Sequence, residues 1–465
     1  MGDGSLQRDA HRCYGRRPAK QCRPVEGELR GRMRYSRALV VILVASAAAL
    51  AGASEQDQAE QERVTSGDVG LVSQVRQIVG AMLTRLPNYT CLETLERTER
   101  ADERSKFRLI DRVRVEVAFV DGVELYAWPG SPQFNVSDLR QVITGPGAFG
   151  TGDFGEHLKV AYSSKMPLQV AGKDSIQGRN AWRLTQSVPA SLSHFDIIVP
   201  PMKATVGYDV TAWHDAASLA LLRFELVATE FPRTMPIRRT FKATEYESVV
   251  VNGVPMRLPA MTELSMTTRN GVEIRTVSTF SNCHEYKGES KLTFEDLANE
   301  APDQPPQPLE IISLPAGLEV QVRLDDAVDL AQAARGDPVV MTVAKDVFKS
   351  DRKVLSAGAK VNGRWHFIQC GDRPVAYCFA TLKTESFEDG FRSGPFAATL
   401  VLPSLEFELS SAGRSFEANR GRLIPGEISH PEEGAATLFR RTVTKLPRGY
   451  RLIWRTLEVS GGSKP

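Results

Sequence analysis

Three glycines, Gly150, Gly152 and Gly155, stand at the spacing G-x-G-x-x-G directly before a predicted helix. In a strand–loop–helix unit of a parallel sheet, this spacing lets the backbone cradle a phosphate or a dinucleotide. Here the strands that follow are separated by tight turns, which indicates hairpins. We therefore predict no cofactor and interpret this segment as a flexible loop, with Asp153 as the N-cap of the helix.

The other residue types that commonly carry catalysis are scattered. The chain contains no H-E-x-x-H and no G-x-S-x-G. Asp325 and Asp326, if they lie in a strand, point to opposite faces and cannot form an acid/base pair. We predict a non-enzymatic protein without catalytic residues or a metal site, and an envelope hydrolase with a site built from distant residues is the alternative. The histidines after the N-terminal segment are His157, His194, His214, His284, His366 and His430.

Four cysteines follow residue 53: Cys91, Cys283, Cys370 and Cys378. An even number in an exported chain is typical of disulfides, and three pairings are open. We favour Cys91–Cys283, which would tie together the two ends of the first domain. The remaining pair, Cys370–Cys378, would close a short loop between two strand-like runs. Four free buried thiols are the alternative.

Aromatic side chains are spread over the predicted strands and the Gly-rich loop. A curved sheet lined by such side chains and closed by a mobile loop could hold an acyl chain or another apolar ligand. An ordinary packed core explains the same residues, so both interpretations stay open. The candidates for lining a ligand cavity are Phe119, Tyr126, Trp128, Phe154, Trp182 and Trp213.

The charge is unevenly distributed along the chain. Of 465 residues, 42% are hydrophobic and 25% charged, which is typical of a globular protein. Residues 1–51 hold ten Lys/Arg and four Asp/Glu, so the net charge of +2 leaves −4 on the remainder. A mildly acidic body offers no basic surface for nucleic acid, and we predict no such partner.

An export signal accounts for the basic N-terminus. Four arginines within residues 30–37 precede an apolar run, Ala38–Ala51, and small residues follow up to Ala53. The run of about 14 residues is shorter than the roughly 20 that a spanning helix needs. We predict a periplasmic or secreted protein of a bacterial envelope, cleaved near Ala51–Ala53, with an uncleaved anchor as the alternative. Because a signal core normally lies near the chain start, we expect translation to begin at Met33, with an unusual N-terminal extension over residues 1–32 as the alternative.

The hydrophobic periodicity sets the fold class. Apolar residues at three- and four-residue steps predict a helix over 68–86, and from Tyr89 the period changes to two. Tight turns between the strands predict an antiparallel meander. Further helices are predicted at 137–143 and 153–163. The predicted strands are 89–98, 107–119, 123–128, 166–171, 181–187, 193–199, 204–213, 219–231, 237–249, 256–267, 272–281, 376–384, 396–408, 436–445 and 449–459.

Residues 299–309 contain four prolines, which is typical of a stiff, extended linker. We therefore predict an N-terminal extension and signal peptide (1–53), an antiparallel β domain with an N-terminal helix (54–298), the linker, and an all-β domain (310–465). The fold class is mostly β: an antiparallel half-barrel with helices on one face, followed by a second all-β barrel or sandwich.

The order of features over residues 68–285 resembles the periplasmic lipoprotein-carrier (LolA-like) fold. The helix ends at Arg85-Leu-Pro-Asn-Tyr89, and Val120-Asp-Gly-Val-Glu-Leu-Tyr126 resembles a hairpin of that family. Segments Val170–Leu184 and Val210–Arg223 resemble two of its further strand pairs. The resemblance implies an antiparallel half-barrel around an apolar cavity, and it implies a diffuse lining rather than signature site residues.

The second domain carries an internal echo. Leu314–Arg323 and Leu355–Arg364 share Leu-x-Ala-Gly-x-x-Val-x-x-Arg, which we interpret as a turn glycine that leads into a strand, used twice. Leu314–Leu318 and Gly336–Pro338 resemble small β-barrels of envelope secretion scaffolds.

Together these features predict a cell-envelope protein that binds or senses an apolar or lipidic ligand. The expected partners are a lipid or an acylated protein in the first domain and an envelope protein or the cell wall on the second. Membrane contact is expected only through the signal segment. A purely structural interaction module is the alternative, and a solid core would favour it.

Overall fold

The computed structural model describes residues 68–131, 133–134, 136–143, 147–163, 167–286, 310–371, 377–401, 435–440 and 445–458. The signal segment, the expected start at Met33 and the Pro-rich linker lie outside the described residues. We call residues 68–286 the N-terminal body and the described residues from 310 onwards the C-terminal body.

The described residues confirm a mostly β protein with few helices. Helix α1 covers residues 68–85 and α2 covers Glu156–Ala161, with one 3-10 turn at Leu139–Gln141. The strands of the N-terminal body are β1 Tyr89–Arg100, β2 Arg108–Val120, β3 Val123–Ala127, β4 Gln169–Ile176, β5 Arg179–Val188, β6 Asp196–Val199, β7 Met202–Thr205, β8 Gly207–Asp215, β9 Leu221–Thr229, β10 Ile237–Val251, β11 Val254–Thr268 and β12 Glu273–Glu285. The strands of the C-terminal body are β13 Glu310–Ile311, β14 Glu319–Leu324, β15 Val328–Asp329, β16 Pro338–Val343, β17 Val347–Lys349, β18 Arg352–Leu355, β19 Lys360–Gly371, β20 Tyr377–Asp389, β21 Arg392–Pro395, β22 Ala398–Leu400, β23 Ala435–Arg440, β24 Lys445–Leu446 and β25 Arg451–Thr456.

Ten strands of the N-terminal body form one antiparallel sheet in the order β3-β2-β1-β12-β11-β10-β9-β8-β5-β4. Consecutive strands pair as hairpins from β8 to β12, as the meander prediction requires. The first and last strands, β1 and β12, lie side by side, which closes the two ends of this chain segment against each other. Pairing between residues so distant in sequence cannot be read from local pattern.

Both helices of the N-terminal body pack on the same sheet face. Val75 and Val79 of α1 and Leu158 of α2 are buried in one cluster with side chains of β5, β8 and β9, such as Leu184 and Phe224. The apolar residues of α1 recur every three or four residues, so they lie on one face of the helix, and this face packs against the sheet. The predicted placement of helices on one face is confirmed.

Three local predictions are corrected. The predicted strand 193–199 begins only at Asp196, and the predicted strand 204–213 is divided between β7 and β8. Strands β6 and β7 form a separate two-stranded sheet. Helix α2 is capped by Gly155, so the prediction of Asp153 as N-cap is wrong.

The C-terminal body is built on a second sheet, in the order β13-β21-β20-β19-β16-β14-β25-β22, with β23 also on β20. Its own buried cluster centres on side chains such as Val320, Val361 and Trp454. Gly317 and Gly358 both have φ in the left-handed region, +84° and +90°, and each stands two residues before the first residue of a strand. The turn-glycine interpretation of the internal echo is thus confirmed.

The C-terminal body touches the edge of β2. Strand β3 covers only one end of that edge, and Arg335 covers part of the rest as an isolated bridge opposite Val113. The Arg335 N–H donates to Arg112 O at 2.8 Å, and Arg114 N–H donates to Arg335 O at 2.7 Å. An exposed strand edge is thereby paired, which removes a site of unwanted strand addition.

None of the helices in the described part of the chain is long and apolar enough to cross a membrane.

Candidate functional site

The Gly-rich segment Gly147–Gly155, here called the interior loop, lies inside the N-terminal body. Side chains of the sheet hold its backbone: Thr276 Oγ1 donates to Ala148 O at 2.6 Å, and Lys242 Nζ donates to Thr151 O at 2.6 Å. The Gly152 and Phe154 N–H groups donate to the two carboxylate oxygens of Glu124 at 2.8 and 3.0 Å. The loop is therefore anchored along its length and does not hang free in solvent.

These contacts require the sheet to curl around the loop. Glu124 belongs to β3 and Thr244 to β10, which are five strand spacings apart, or about 24 Å in a flat sheet. Yet Glu124 bonds Phe154 N–H at 3.0 Å, and Thr244 Oγ1 bonds the Asp153 carboxylate at 3.0 Å. Two residues adjacent in sequence cannot reach both strands unless the sheet wraps around them. The predicted half-barrel is confirmed, and its interior holds the protein's own loop.

Asp153 is the most densely bonded residue of the loop. Its carboxylate accepts from Thr244 at 3.0 Å and from Thr262 at 2.8 Å, and it pairs with Lys242 Nζ at 3.1 Å. Burial alone would raise the pKa of Asp153, but Lys242 and the hydroxyl donors hold it below the usual range. Asp153 is thus an ionised anchor inside the sheet.

Two further carboxyl groups face the same interior. Burial and the neighbouring Asp153 raise the pKa of Glu124, which also accepts a hydrogen bond from Tyr126 OH at 2.6 Å. Burial raises the pKa of Glu93 to about 8, although hydrogen bonding to Ser278 acts in the opposite direction. Glu93 is therefore protonated at neutral pH, and the interior carries fewer negative charges than its carboxyl groups imply.

Two histidines complete the polar interior: His214 is fully buried and His157 is half-buried. Burial lowers the pKa of His157 to about 3 and that of His214 to about 4, so both imidazoles are neutral. His214 Nε2 lies 2.7 Å from Tyr162 OH, and its Nδ1 lies 2.9 Å from Leu219 O. These contacts make His214 a bonded core residue. The carboxylates of Asp153 and Glu124 are likewise engaged by donors of the protein itself, so the cluster is suited to fixing a loop.

Three of the six cavity candidates come together. Phe119, Tyr126 and Phe154 are buried in one cluster, in which the ring centroids of Phe119 and Phe154 lie 6.4 Å apart. Phe154 also meets Tyr89 at 5.5 Å and Phe280 at 5.2 Å. The loop thus contributes an aromatic side chain to the space that sequence analysis reserved for a ligand.

Of the three tryptophan candidates, only Trp128 adjoins this cluster. Trp128 packs at the border of the same cluster, with the Arg335 guanidinium 5.7 Å from its ring. Trp182 is half-buried on β5, with the Lys173 amine 4.9 Å from its ring, and Trp213 donates to Asp174 at 3.1 Å. Trp182 and Trp213 do not meet the aromatic cluster.

A cleft of about 290 Å³ opens beside the interior loop, between the β2–β3 hairpin and α2. Phe119 and Tyr126 form its apolar floor. The Lys159 amine stands 5.8 Å from the Phe119 ring and 3.5 Å from Gly122 O, at the rim. The cleft is lined by Phe119, Gly122, Val123, Glu124, Tyr126, Ser137, Thr151, Glu156 and Lys159. Its lining combines aromatic and polar side chains, and its volume lies just below the roughly 300–1,000 Å³ of small-molecule sites.

The structure joins Cys91 to Cys283 and Cys370 to Cys378, each with S–S 2.03 Å. The first disulfide links β1 to β12 across 192 residues, at an irregularity in their register. Among the residues that the structure describes, no three His, Cys, Asp or Glu side chains converge as a metal site would need.

Sequence reasoning missed the polar interior. Glu93 and Lys242 lie at buried positions of β1 and β10, and Glu124 is half-buried on β3. A charged residue at an inward position was the available signal, since such residues are rarely buried without a partner. The partner, Asp153, was assigned to helix capping instead.

Comparison with known proteins gives a weak fold match. No protein-family model matches the chain. No curated protein matches it either. A LolA superfamily protein from Nitrosomonas europaea matches with 12% identity and a TM-score of 0.25, over 46% of this chain and 94% of that protein. A DUF1329 family protein from Desulfovibrio piger matches with 12% identity and a TM-score of 0.23, over 48% and 97%. The LolA-like resemblance thus recurs as a weak structural likeness, and at these TM-scores it carries no functional argument.

Proposed function

We propose that this chain is an exported envelope protein that binds or senses an apolar or lipidic amphiphile and does not act on it chemically. The observation that carries the proposal is the cleft beside the interior loop. Its floor of Phe119 and Tyr126 suits an apolar chain, and its rim, with Lys159 and Ser137, suits a polar head group. An acylated protein would present the same chemistry as a lipid.

The disulfides support export. Disulfides persist in oxidising compartments and are rare in the cytosol of mesophiles. Both pairs are formed here, and Cys91–Cys283 ties the first strand of the N-terminal body to its last. Together with the basic and apolar N-terminal pattern, they favour a periplasmic or secreted protein.

The interior loop supplies the means by which the site would enlarge. The ring of Phe154 lies 6.4 Å from that of Phe119, so a chain that enters past Phe119 would take the place of Phe154. Gly152 and Gly155, at φ of +83° and +150°, flank Phe154 with backbone conformations that other residues rarely adopt. The loop is thus an inner wall that a long ligand would displace.

Native mass spectrometry of the mature protein, purified from membranes in mild detergent, tests this proposal. Ser137→Trp places a large side chain in the cleft, and Ser175→Trp places the same side chain on the exposed face of β4 as a matched control. We expect a bound amphiphile in the parent and in the control and its loss in Ser137→Trp. Ligand-free protein in all three would contradict the proposal.

A structural interaction module is the second candidate, and the filled interior favours it. If no amphiphile is recovered, the anchored loop and the aromatic cluster are a packed core, and the two sheets serve as surfaces for other proteins. In both cases we propose that the C-terminal body docks on an envelope partner or the cell wall.

We also propose that the Pro-rich stretch 299–309 separates two domains, 54–298 and 310–465. The buried clusters of the two bodies share no residue. Limited proteolysis tests the boundary: cleavage between residues 287 and 309 should leave two resistant fragments, and first cleavage within either described sheet would contradict it.

A further inference from the structure

A row of directly opposed polar residues crosses the inner face of the N-terminal sheet beneath the start of the interior loop. On β12, β1 and β2 the row is Thr276, Arg97 and Asp111, paired in register. Arg97 bonds Asp111 through two nitrogens at 2.7 and 2.5 Å, and both side chains are almost fully buried. A buried bidentate pair of this kind is rigid, because shifting either partner strands a charge away from water.

One end of the row carries the interior loop. Thr276 donates to Ala148 O at 2.6 Å. A Cβ on Gly147 would lie 3.0 to 3.1 Å from the Arg97 side chain, so the loop backbone rests directly on that guanidinium. Movement of the loop therefore removes the cover from Arg97.

The other end of the row faces the C-terminal body. Arg335 stands opposite Val113, two residues from Asp111, on the free edge of β2 and is buried to 7% exposure. The Arg335 N–H donates to the carbonyl oxygen of Arg112, the neighbour of Asp111 in β2, at 2.8 Å, and burial lowers the pKa of the Arg335 guanidinium. Arg114 also pairs with Asp337 at 2.5 Å, and Arg364 donates to Pro129 O at 2.8 Å.

We propose that the row Thr276–Arg97–Asp111 couples the position of the interior loop to the docking of the C-terminal body at Arg335. When the loop is seated, Arg97 holds Asp111 in place, and with it the adjoining backbone of β2 that bonds Arg335. When the loop leaves, water reaches Arg97 and its side chain becomes mobile. Asp111 then moves with Arg97, and the backbone pairing of Arg335 with the edge of β2 weakens. This inference rests on the proposed function only in that the amphiphile is the ligand that would displace the loop. The coupling itself requires no ligand.

Hydrogen exchange of the full mature chain tests the coupling without any ligand. Thr276→Val removes one loop anchor with little change of shape. The readout is the exchange rate of the Arg114 and Arg335 amides, which form the docking bridge. Thr240→Val is the matched control, because Thr240 is equally buried and its hydroxyl has no hydrogen-bond partner. We expect exchange at least about fivefold faster in Thr276→Val and unchanged in Thr240→Val.

A second variant keeps the test decisive. Asp111→Asn preserves shape and removes the charge that holds Arg97, so adding Thr276→Val to it should change the two amides by much less than fivefold. Equal exchange in parent and Thr276→Val, or an equal rise in Thr240→Val, would overturn the coupling. Either result would leave the amphiphile measurement untouched, so failure of the coupling and failure of the proposed function are distinguishable.

Discussion

Replacing Lys242 by Met tests whether the polar interior anchors the loop. The Lys242 and Asp153 side chains are only 3% and 5% exposed, and their charged atoms lie 3.1 Å apart. Removing one partner of a buried pair leaves an uncompensated charge and typically costs about 3–5 kcal/mol. Two Thr hydroxyls remain on Asp153 and moderate the loss, so we expect about 3 kcal/mol in the free energy of unfolding.

The assay is urea unfolding at neutral pH followed by tryptophan fluorescence. Lys203→Met is the matched control, because Lys203 pairs with Asp196 at 2.8 Å on the surface, where an ion pair contributes at most about 1 kcal/mol. Combining Lys242→Met with Asp153→Leu should cost less than the sum of the two single changes. Similar losses for Lys242→Met and Lys203→Met would refute the anchor.

Three further outcomes are expected. Because the pKa of Glu93 is raised to about 8 in the folded state, its protonated carboxyl stabilises the fold at low pH, and this stabilisation is lost as the pH rises from 4.5 to 8. Glu93→Gln should therefore remove a decline in the free energy of unfolding on the order of a few kcal/mol over this pH range. An unchanged pH profile would contradict this. Replacing both Cys91 and Cys283 by Ser should lower the free energy of unfolding by roughly 5 kcal/mol in thermal unfolding, because this disulfide closes a loop of 192 residues. The loss should be about twice that for Cys370–Cys378, which closes a loop of 8 residues, and equal losses would contradict an entropic origin. Gly336→Ala places a Cβ against the carbonyl oxygen of Arg114. Gly358 has a similar φ but open space around it, so Gly336→Ala should lower the free energy of unfolding by more than about 2 kcal/mol beyond Gly358→Ala. Equal losses would show that the close contact is not the cause.

Local pattern was sufficient for much of the fold. Helix α1 and the hairpins from β8 to β12 follow from apolar periodicity and turn residues such as Asn252-Gly253, because both signals act between near neighbours. The pairing of β1 with β12 is non-local. It was reachable only through the interpretation of Cys91 and Cys283 as a bridge.

The site was less predictable for a physical reason. Phe119, Tyr126 and Phe154 were selected as aromatics on strands and in the loop, and these residues do meet. Their meeting depends on the curl of the sheet around the interior loop, which is a collective property of many strands. The role of Asp153 was misread because capping is a local interaction, whereas its partners stand 91 and 109 residues away.

The interior loop explains why a polar segment can occupy the centre of a β body. A buried backbone must satisfy its hydrogen-bonding groups. In the sheet, Glu124 accepts hydrogen bonds from the N–H groups of Gly152 and Phe154. Lys242 donates to the carbonyl oxygen of Thr151, and Thr276 donates to that of Ala148. The same bonds would be broken when a ligand takes the place of the loop, so the affinity for that ligand must exceed their stabilisation.

The most direct test of the account is amide exchange of Gly152 and Phe154 when the mature protein is titrated with dodecanoic acid. Both amides donate to Glu124, so they report whether the interior loop is seated. If the amphiphile enters past Phe119 and displaces Phe154, both amides should exchange faster at saturation, and Ser137→Trp should abolish the change. Saturable binding with both amides still protected would place the ligand elsewhere and contradict the account.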